Sequence, residues 1–268
     1  MKIIVVGCGS IGKRHIANAL SLGHTVVAAD PVAAPIPGVL WYTNWRRALA
    51  DHDDAAGVVI ASPTDAHLEQ LMEAARARIP AFVEKPLLTV RDYRQLAAEH
   101  LLTSLPLYAR HVVGFQYLFN ANMRAVEKLV KHLPELDFYA RDDLAARYGP
   151  DVEGAMAAHP LAAAVRLLGP ATDVNLLSSG TRLVGHVRHT GGVSRHDYDI
   201  SSGPRQSWVS VGRERVEMTA DPAMYLACLS AWTTWLGGGE RDPRSADLAL
   251  GVEVSRILSL VGQYARVA

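Results

Sequence analysis

Cysteine is scarce in this chain, and so is any excess of charge. Two cysteines among 268 residues, Cys8 and Cys228, are too few for a disulfide framework. Lysine plus arginine equal aspartate plus glutamate at 27 each, so the composition gives no electrostatic basis for binding nucleic acid or an anionic membrane. No secretory leader precedes the first apolar run, and no apolar run is long enough for a membrane span. We therefore expect a soluble, cytoplasmic protein.

Metal-ligand patterns are lacking as well. His186, His189 and His196 fall in strand-like runs, without partners at the spacings that metal sites use, so we expect no metal. The chain is 49% hydrophobic, which is enough for a sizeable core, and its length suits one large or two modest domains.

Three glycines directly follow the first apolar run. Residues 3–6 are all β-branched, which is typical of a strand buried on both faces of a parallel sheet. Gly7, Gly9 and Gly12 come next in G-x-G-x-x-G spacing, and a helix is predicted over residues 11–22. In a dinucleotide site the first glycine permits the tight turn, the second lets the backbone approach a pyrophosphate, and the third lets helix and strand pack closely.

An acidic residue stands where such a site needs one. The second predicted strand, residues 25–29, ends in Asp30, at the distance from the glycines at which an acid binds the adenosine ribose hydroxyls. Asp30 would repel a 2′-phosphate, and residues 31–35 offer no cation to hold one, which favours NAD(H) over NADP(H). Lys13 and Arg14, close to the phosphates, leave NADP(H) open.

Strands and helices alternate through the first part of the chain. Strands are predicted at 3–6, 25–29, 57–61, 81–83 and 107–112, and helices at 11–22, 44–51, 65–78 and 91–101. Alternation of this kind predicts a parallel sheet with right-handed crossovers.

The pattern changes after residue 118. Helices are predicted at 122–132, 159–168, 224–236 and 245–264, and strands at 135–142, 173–190, 193–201, 205–212 and 215–219. Consecutive strands without helical crossovers predict a largely antiparallel sheet. We expect an α/β protein with a Rossmann domain (1–118, a doubly wound parallel sheet) and an α+β domain (119–268) with an open sheet.

Polar residues follow the third predicted strand. Ser62, Pro63 and Thr64 come at the carboxyl edge of the sheet, where ligands bind in doubly wound folds. Thr64 also suits the N-cap of the helix predicted from residue 65, and both interpretations can hold together. His67, in the first helical turn, is interpreted mainly as structural.

Two charged residues follow the next strand. Glu84 and Lys85 come directly after residues 81–83, and Pro86 fixes the turn. A lysine held near the positive ring of a cofactor has a lowered pKa and can carry a proton. The alternative is a surface Glu–Lys pair at the end of a strand.

The three motifs together resemble the Gfo/Idh/MocA (glucose–fructose oxidoreductase / inositol dehydrogenase) family of NAD(P)-dependent oxidoreductases. Gly-Cys-Gly-Ser-Ile-Gly-Lys-Arg-His, Ile-Ala-Ser-Pro-Thr-Asp-Ala-His and Glu-Lys-Pro match it in order and spacing, and a looser similarity continues to His159 and to residues 237–243. The resemblance implies nicotinamide-dependent chemistry on sugars, cyclitols or related small molecules, with Lys85 and His159 as catalytic residues. It also implies a homo-oligomer, a dimer or tetramer. The predicted cofactor-binding residues are Gly7, Gly9, Ser10, Ile11, Gly12, Asp30, Ser62, Pro63, Thr64, His67, Glu84 and Lys85.

Two alanines depart from the family pattern. Polyol-oxidising members usually carry aspartates at the positions of Ala155 and Ala162, and alanine neither relays a proton nor binds a hydroxyl. Asp151 and Glu153 are possible substitutes. Besides a sugar or cyclitol dehydrogenase, two hypotheses thus stay open. One is a reductase of imines or conjugated substrates, and the other is a nucleotide-binding protein that has lost catalysis.

Overall fold

The structure, a computed structural model, describes residues 1–105, 110–145, 156–201, 203–218 and 221–263. The chain divides into two compact units. The first unit contains Met1–Phe115 and Tyr225–Val252, and the second contains Gln116–Met224 and Glu253–Ala268. The sequence analysis puts one boundary at residue 118 and does not include the return of a later segment to the first unit.

The first unit is built on a six-stranded parallel sheet. Its strands are β1 (Lys2–Val6), β2 (Thr25–Ala29), β3 (Leu40–Tyr42), β4 (Gly57–Ile60), β5 (Ala81–Glu84) and β6 (Val112–Gly114). Their order is β3-β2-β1-β4-β5-β6, and every neighbouring pair is parallel. This order is that of the Rossmann fold, so the predicted fold class of this part is confirmed.

Helices connect these strands, and two of them begin with side-chain caps. They are α1 (Ser10–Ser21), α2 (Trp45–Asp51), α3 (His67–Arg76) and α4 (Val90–Ala98), with 3₁₀ turns at Thr64–Ala66 and Leu102–Ser104. Asn44 accepts hydrogen bonds from the N–H groups of Arg46 and Arg47, and Thr89 accepts one from Asp92. Such caps satisfy N–H groups that have no partner inside the helix, which fixes where α2 and α4 begin.

The second unit contains a seven-stranded mixed sheet. Its strands are β7 (Glu135–Arg141), β8 (Ala171–Ser178), β9 (Arg182–His189), β10 (Gly192–Asp199), β11 (Gln206–Val211), β12 (Glu214–Glu217) and β13 (Gly262–Gln263), in the order β12-β11-β7-β10-β9-β8-β13. Only β7–β10 and β8–β13 are parallel pairs among these described strands. The sheet is therefore largely antiparallel, as predicted.

Four further helices and a 3₁₀ turn at Gln116–Phe119 complete the described elements. The helices are α5 (Met123–Val130), α6 (Ala158–Leu168), α7 (Pro222–Leu236) and α8 (Leu248–Ser259). In the first unit, Trp232 of α7 lies edge-on to Phe82 of β5, and a Cβ on Gly57 would come within 2.5 Å of its ring. Trp232 itself is fully buried. Position 57 must therefore stay small for α7 to pack on the parallel sheet.

One strand was not predicted, and three predicted elements need correction. β3 was not predicted, because a three-residue strand shows no periodicity. β6 begins at Val112, where the predicted strand 107–112 ends; residues 106–109 lie outside the described residues. The run 173–190 is two strands, β8 and β9, with a turn at Gly180. The last helix ends at Ser259, and β13 follows it.

In the described part of the chain, no helix has the length and apolar character to cross a membrane. The same residues contain no group of three His, Cys, Asp or Glu side chains arranged to hold a metal ion.

Candidate functional site

The turn after β1 requires glycine at two positions and leaves space at a third. Gly7 has φ +84°, and a Cβ there would lie 2.4 Å from the backbone nitrogen of Ser62. A Cβ on Gly12 would lie 1.8 Å from the carbonyl oxygen of Gly7. A Cβ on Gly9 would meet nothing within 4 Å. Gly7 and Gly12 thus close the turn against its neighbours, and the open side at Gly9 has room for a ligand.

The helix that follows this turn presents free backbone donors. Gly9 is the N-cap of α1 and makes no side-chain capping bond, and the first turn of α1 carries no acidic residue. The N–H groups of Ser10 and Ile11 belong to this first turn, where backbone donors have no partner inside the helix. Such a helix start fits the negative charge of a pyrophosphate.

Asp30 lies at the end of β2, and three backbone N–H groups hold its carboxylate. Oδ2 accepts from Cys8 at 2.7 Å, and Oδ1 accepts from Val32 at 2.8 Å and from Ala33 at 2.7 Å. Burial opposes ionisation, but these donors outweigh it and lower the pKa of Asp30. The carboxylate therefore stays ionised at neutral pH and keeps acceptor capacity for ribose hydroxyls.

Cys8, inside the glycine turn, is a packing residue. Its side chain is fully buried. Burial and the nearby Asp30 charge raise the pKa of its thiol to about 11, so it is protonated at neutral pH.

The second motif, Ser62-Pro63-Thr64, forms a turn in which Thr64 does not cap a helix. Ser62 and Thr64 are half-buried, and Pro63 is exposed. The Ser62 hydroxyl donates to Gln70 Oε1. α3 begins at His67, after a 3₁₀ turn that starts at Thr64, and neither start has a side-chain capping bond. The prediction that Thr64 caps a helix from residue 65 was therefore wrong.

His67 joins this turn to the turn after β5. Its Nε2 lies 2.9 Å from the carbonyl oxygen of Ser62, and its Nδ1 lies 3.0 Å from that of Pro86. The side chain is buried, and burial lowers its pKa even though the two carbonyls, Glu84 and Asp65 act in the opposite direction. A neutral ring can donate to only one of the two carbonyl oxygens at a time.

Glu84 is a buried carboxylate rather than part of a surface Glu–Lys pair. It is 5% exposed, and its Oε1 lies 2.7 Å from Nε2 of the fully buried His15 in α1. Its Oε2 accepts from the backbone N–H of Lys85 at 3.3 Å. The His15 ring also lies edge-on to Phe82 at 5.1 Å. The costly burial of the Glu84 carboxylate is thus compensated by a specific partner.

His159 belongs to the second unit, where it is the second residue of α6. Its half-buried ring stacks on Tyr117 with centroids 6.2 Å apart. Ala162, one turn further along α6, is completely buried. Ala155, Asp151 and Glu153 lie outside the described residues.

The structure brings the predicted cofactor-binding residues to one edge of the parallel sheet, at the carboxyl ends of β1, β2, β4 and β5. His15 is a residue of this edge whose role was not predicted from the sequence. It lies 69 residues from Glu84, and no local pattern connects two positions so far apart.

Comparison with known proteins agrees with this geometry. Residues 1–102 match the model of the Gfo/Idh/MocA family, described as an oxidoreductase family with an NAD-binding Rossmann fold. Residues 1–102 of this chain are thus similar to the Gfo/Idh/MocA family over the part that forms most of the parallel sheet. An inositol 2-dehydrogenase from Mycolicibacterium gilvum is 36% identical over 131 residues, which cover 45% of this chain and 36% of that protein. One from Klebsiella pneumoniae is 29% identical, over 48% of this chain and 41% of that protein. The matches thus span well under half of these relatives.

Solved structures are similar in fold to nearly the full length of this chain. The WlbA dehydrogenase from Thermus thermophilus, solved with NAD and UDP-GlcNAcA, superposes with a TM-score of 0.77 at 17% identity, over 99% of this chain and 97% of that one. A myo-inositol dehydrogenase from Corynebacterium glutamicum gives 0.74 at 21% identity, over 96% and 94%. These similarities establish the two-part fold.

Proposed function

We propose that this chain is an oxidoreductase that exchanges a hydride between NAD(H) and the hydroxyl or carbonyl carbon of a small sugar- or cyclitol-type substrate. One observation carries the proposal. The glycine turn, the Asp30 carboxylate and the Lys85 turn follow strands of one parallel sheet and lie at its carboxyl edge. A dinucleotide uses the first two for its pyrophosphate and ribose, and the oxidation of a hydroxyl needs a proton carrier such as Lys85.

The predicted cofactor-binding residues of this chain fit a dinucleotide. The open side of Gly9 and the first N–H groups of α1 would hold the pyrophosphate, and Asp30 the adenosine ribose. The nicotinamide supplies the hydride acceptor or donor when it is bound.

Asp30 supports a preference for NAD(H). Its carboxylate is held by backbone donors and has a lowered pKa, so it would repel the 2′-phosphate of NADP(H) at neutral pH. Lys13 and Arg14 are exposed in α1, directly after the glycine turn. Their positive charges would favour NADP(H).

Lys85 is the proposed proton carrier. When a substrate hydroxyl is oxidised, its O–H proton must leave as the carbon gives up hydride. The neutral amine of Lys85 takes that proton at Nζ, and in the reverse direction the ammonium returns it to the carbonyl oxygen. His159 is the proposed assisting residue on the strength of the family resemblance, which matches it to a catalytic histidine.

The names of the relatives support a cyclitol-type substrate, but one residue favours a second candidate. Ala162 is buried in α6 and has no group that binds a polyol hydroxyl. Reduction of an imine or a conjugated double bond would not need such a group. Turnover on C=N substrates, without turnover on sugars and cyclitols, would select this candidate.

Self-association as a dimer or tetramer is also proposed, on the strength of the family resemblance. The second sheet contains a half-exposed stack of Tyr139 on Trp208, with centroids 3.9 Å apart and Arg215 over the indole. Light scattering of the purified protein tests the oligomeric state.

The test of the function is Lys85→Met, with Lys128→Met on the exposed side of α5 as the control. We expect kcat to fall by about 100-fold or more, as for the loss of a general acid–base group. NADH affinity, followed by nicotinamide fluorescence, should change little. Equal loss of affinity and turnover would mean that Lys85 binds the cofactor or is structural. An active Lys85→Met variant, or wild-type protein that turns over no substrate, would contradict the proposal.

A further inference from the structure

The turn that carries Lys85 is held on both sides by buried side chains. Before the turn, the Lys85 N–H donates to Glu84 Oε2 at 3.3 Å, and Glu84 Oε1 is 2.7 Å from His15 Nε2. After the turn, the carbonyl oxygen of Pro86 lies 3.0 Å from His67 Nδ1. The backbone on either side of the lysine is therefore connected to a histidine.

Both histidines come from elements that begin at the cofactor-binding turns. His15 lies in α1, which starts at the glycine turn, and His67 is the first residue of α3. The second nitrogen of His67, Nε2, lies 2.9 Å from the carbonyl oxygen of Ser62, and the neutral ring donates to one of the two carbonyl oxygens at a time. The exposed fractions of the two rings are only 0% and 1%. They thus connect the Lys85 turn to α1, which starts at the glycine turn, and to the turn after β4.

Simple filling of the core does not require these residue types. A buried carboxylate or imidazole costs free energy unless it is paired, and apolar side chains of similar volume fill the same space without that cost. His15 Nδ1 is buried with no hydrogen-bond partner among the described residues, so the ring leaves one polar atom unsatisfied while it bonds Glu84. The pairing holds a specific geometry rather than adding much stability.

We propose that His15 and His67 are positioning residues that hold the Lys85 turn in a fixed relation to the turns that bind the cofactor. His15 acts through Glu84, and His67 acts through the carbonyl oxygen of Pro86. The proposal rests on the proposed function, in which Lys85 Nζ must meet a substrate oxygen beside a bound dinucleotide. A displacement of about 1 Å in such a group can cost about 100-fold in rate.

Asparagine and glutamine replacements test the two rings in opposite ways. The amide nitrogen of glutamine takes the place of Nε2, and that of asparagine takes the place of Nδ1. His15 bonds Glu84 through Nε2, so His15→Gln should keep kcat near the wild-type value. His15→Asn should lower kcat by about 10-fold or more. In the tautomer protonated at Nδ1, His67 donates to the Pro86 carbonyl oxygen, so His67→Asn should keep kcat near the wild-type value and His67→Gln should lower it. His132→Asn and His132→Gln, at an exposed position, are the matched controls.

A second measurement needs neither cofactor nor turnover. The exchange of the Lys85 amide hydrogen is followed by NMR in the nucleotide-free protein. His15→Asn should speed this exchange about 5-fold, the factor that one net hydrogen bond supports, and His15→Gln should restore the slow rate. NADH affinity should stay within about threefold of the wild type in both His15 variants, since His15 is not among the predicted cofactor-binding residues.

We expect position 15 to tolerate glutamine but not asparagine, and position 67 to tolerate asparagine but not glutamine. A merely structural role would not produce these opposite preferences. Equal activity of the asparagine and glutamine variants at each position, with unchanged Lys85 exchange, would overturn the proposal. Wild-type protein that neither binds NADH nor turns over substrate would instead contradict the proposed function, while the exchange experiment would still report on the His15–Glu84 bond.

Discussion

Asp30 Oδ2 accepts a hydrogen bond from the backbone N–H of Cys8 at 2.7 Å. The bond connects the end of β2 to the turn after β1, across 22 residues of sequence. The carboxylate proposed to bind the ribose therefore also fixes the turn proposed to bind the phosphates. A substitution at Asp30 must keep an acceptor oxygen if its charge is to be tested separately from its part in the turn.

Alanine substitutions at two glycines of the turn should have different effects, one on stability and the other on NADH affinity. Gly7→Ala should lower the free energy of unfolding by about 2 kcal/mol or more, because φ is +84° and the new Cβ would lie 2.4 Å from Ser62 N. Gly9→Ala should leave stability nearly unchanged, because φ is −67° and no atom lies within 4 Å. Its methyl group would instead occupy the space proposed for the pyrophosphate, so NADH affinity should fall.

Urea unfolding and NADH titration of the two glycine variants separate these effects. A Gly9→Ala variant that binds NADH as well as the wild type would show that the open side of the turn does not hold the cofactor.

The buried, neutral ring of His111 should make the free energy of unfolding fall in acid. Its Nδ1 accepts from the backbone N–H of Ala81 at 2.9 Å, and burial lowers its pKa from 6.5 to about 4. The unfolded chain therefore binds a proton more readily than the folded one. The contribution to stability is complete above pH 6.5 and is lost as pH falls towards 4, by about 3 kcal/mol over that range.

The His111→Asn variant checks this effect, because asparagine offers an acceptor but does not titrate. Urea unfolding at pH 7 and pH 4.5 should show a smaller loss of stability in the variant than in the wild type. Equal losses would mean that His111 is not held neutral in the folded protein.

Four buried side chains of the second unit form a hydrogen-bonded chain whose direction is determined by its end. Gly169 O can only accept, so His189 Nδ1 donates to it at 2.8 Å, and His189 Nε2 then accepts from Ser194 Oγ at 2.9 Å. Ser194 Oγ accepts from His196 Nε2 at 2.8 Å, and His196 Nδ1 accepts from the Tyr198 hydroxyl. Burial lowers the pKa of both histidines and raises that of the tyrosine, so all three stay neutral.

Ser194→Ala should therefore be costly. It leaves a ring nitrogen of His189 and one of His196 without a partner, for a loss of about 2 kcal/mol or more in the free energy of unfolding. Ser210→Ala, at a half-exposed position of β11, is the control. Chemical denaturation that finds the two variants equally stable would contradict the chain of bonds.

Local patterns predicted the first strand, helix and second strand well, because each of these elements is encoded within a few residues. The β-branched run, the glycine spacing and Asp30 all fall in the first 30 residues, and the structure has β1, α1 and β2 there. Residue type and spacing are sufficient when the requirement is local, such as the positive φ of Gly7.

Contacts between distant residues escaped prediction. The pairing of Glu84 with His15 and the two bonds of His67 depend on strand order, which brings separate turns together only in the folded sheet. β13 lies within residues 245–264, which were predicted to form one helix. Its pairing with β8 is a tertiary contact that overrides this preference.

The most direct test of the account is a pair of titrations of the purified protein with NADH and NADPH, followed by nicotinamide fluorescence. Asp30→Asn is measured beside the wild type, because asparagine keeps an acceptor oxygen for the turn. We expect saturable binding of NADH, weaker binding of NADPH, and a smaller difference between them in the variant. A protein that binds neither NADH nor NADPH would contradict the proposal that the chain is an oxidoreductase.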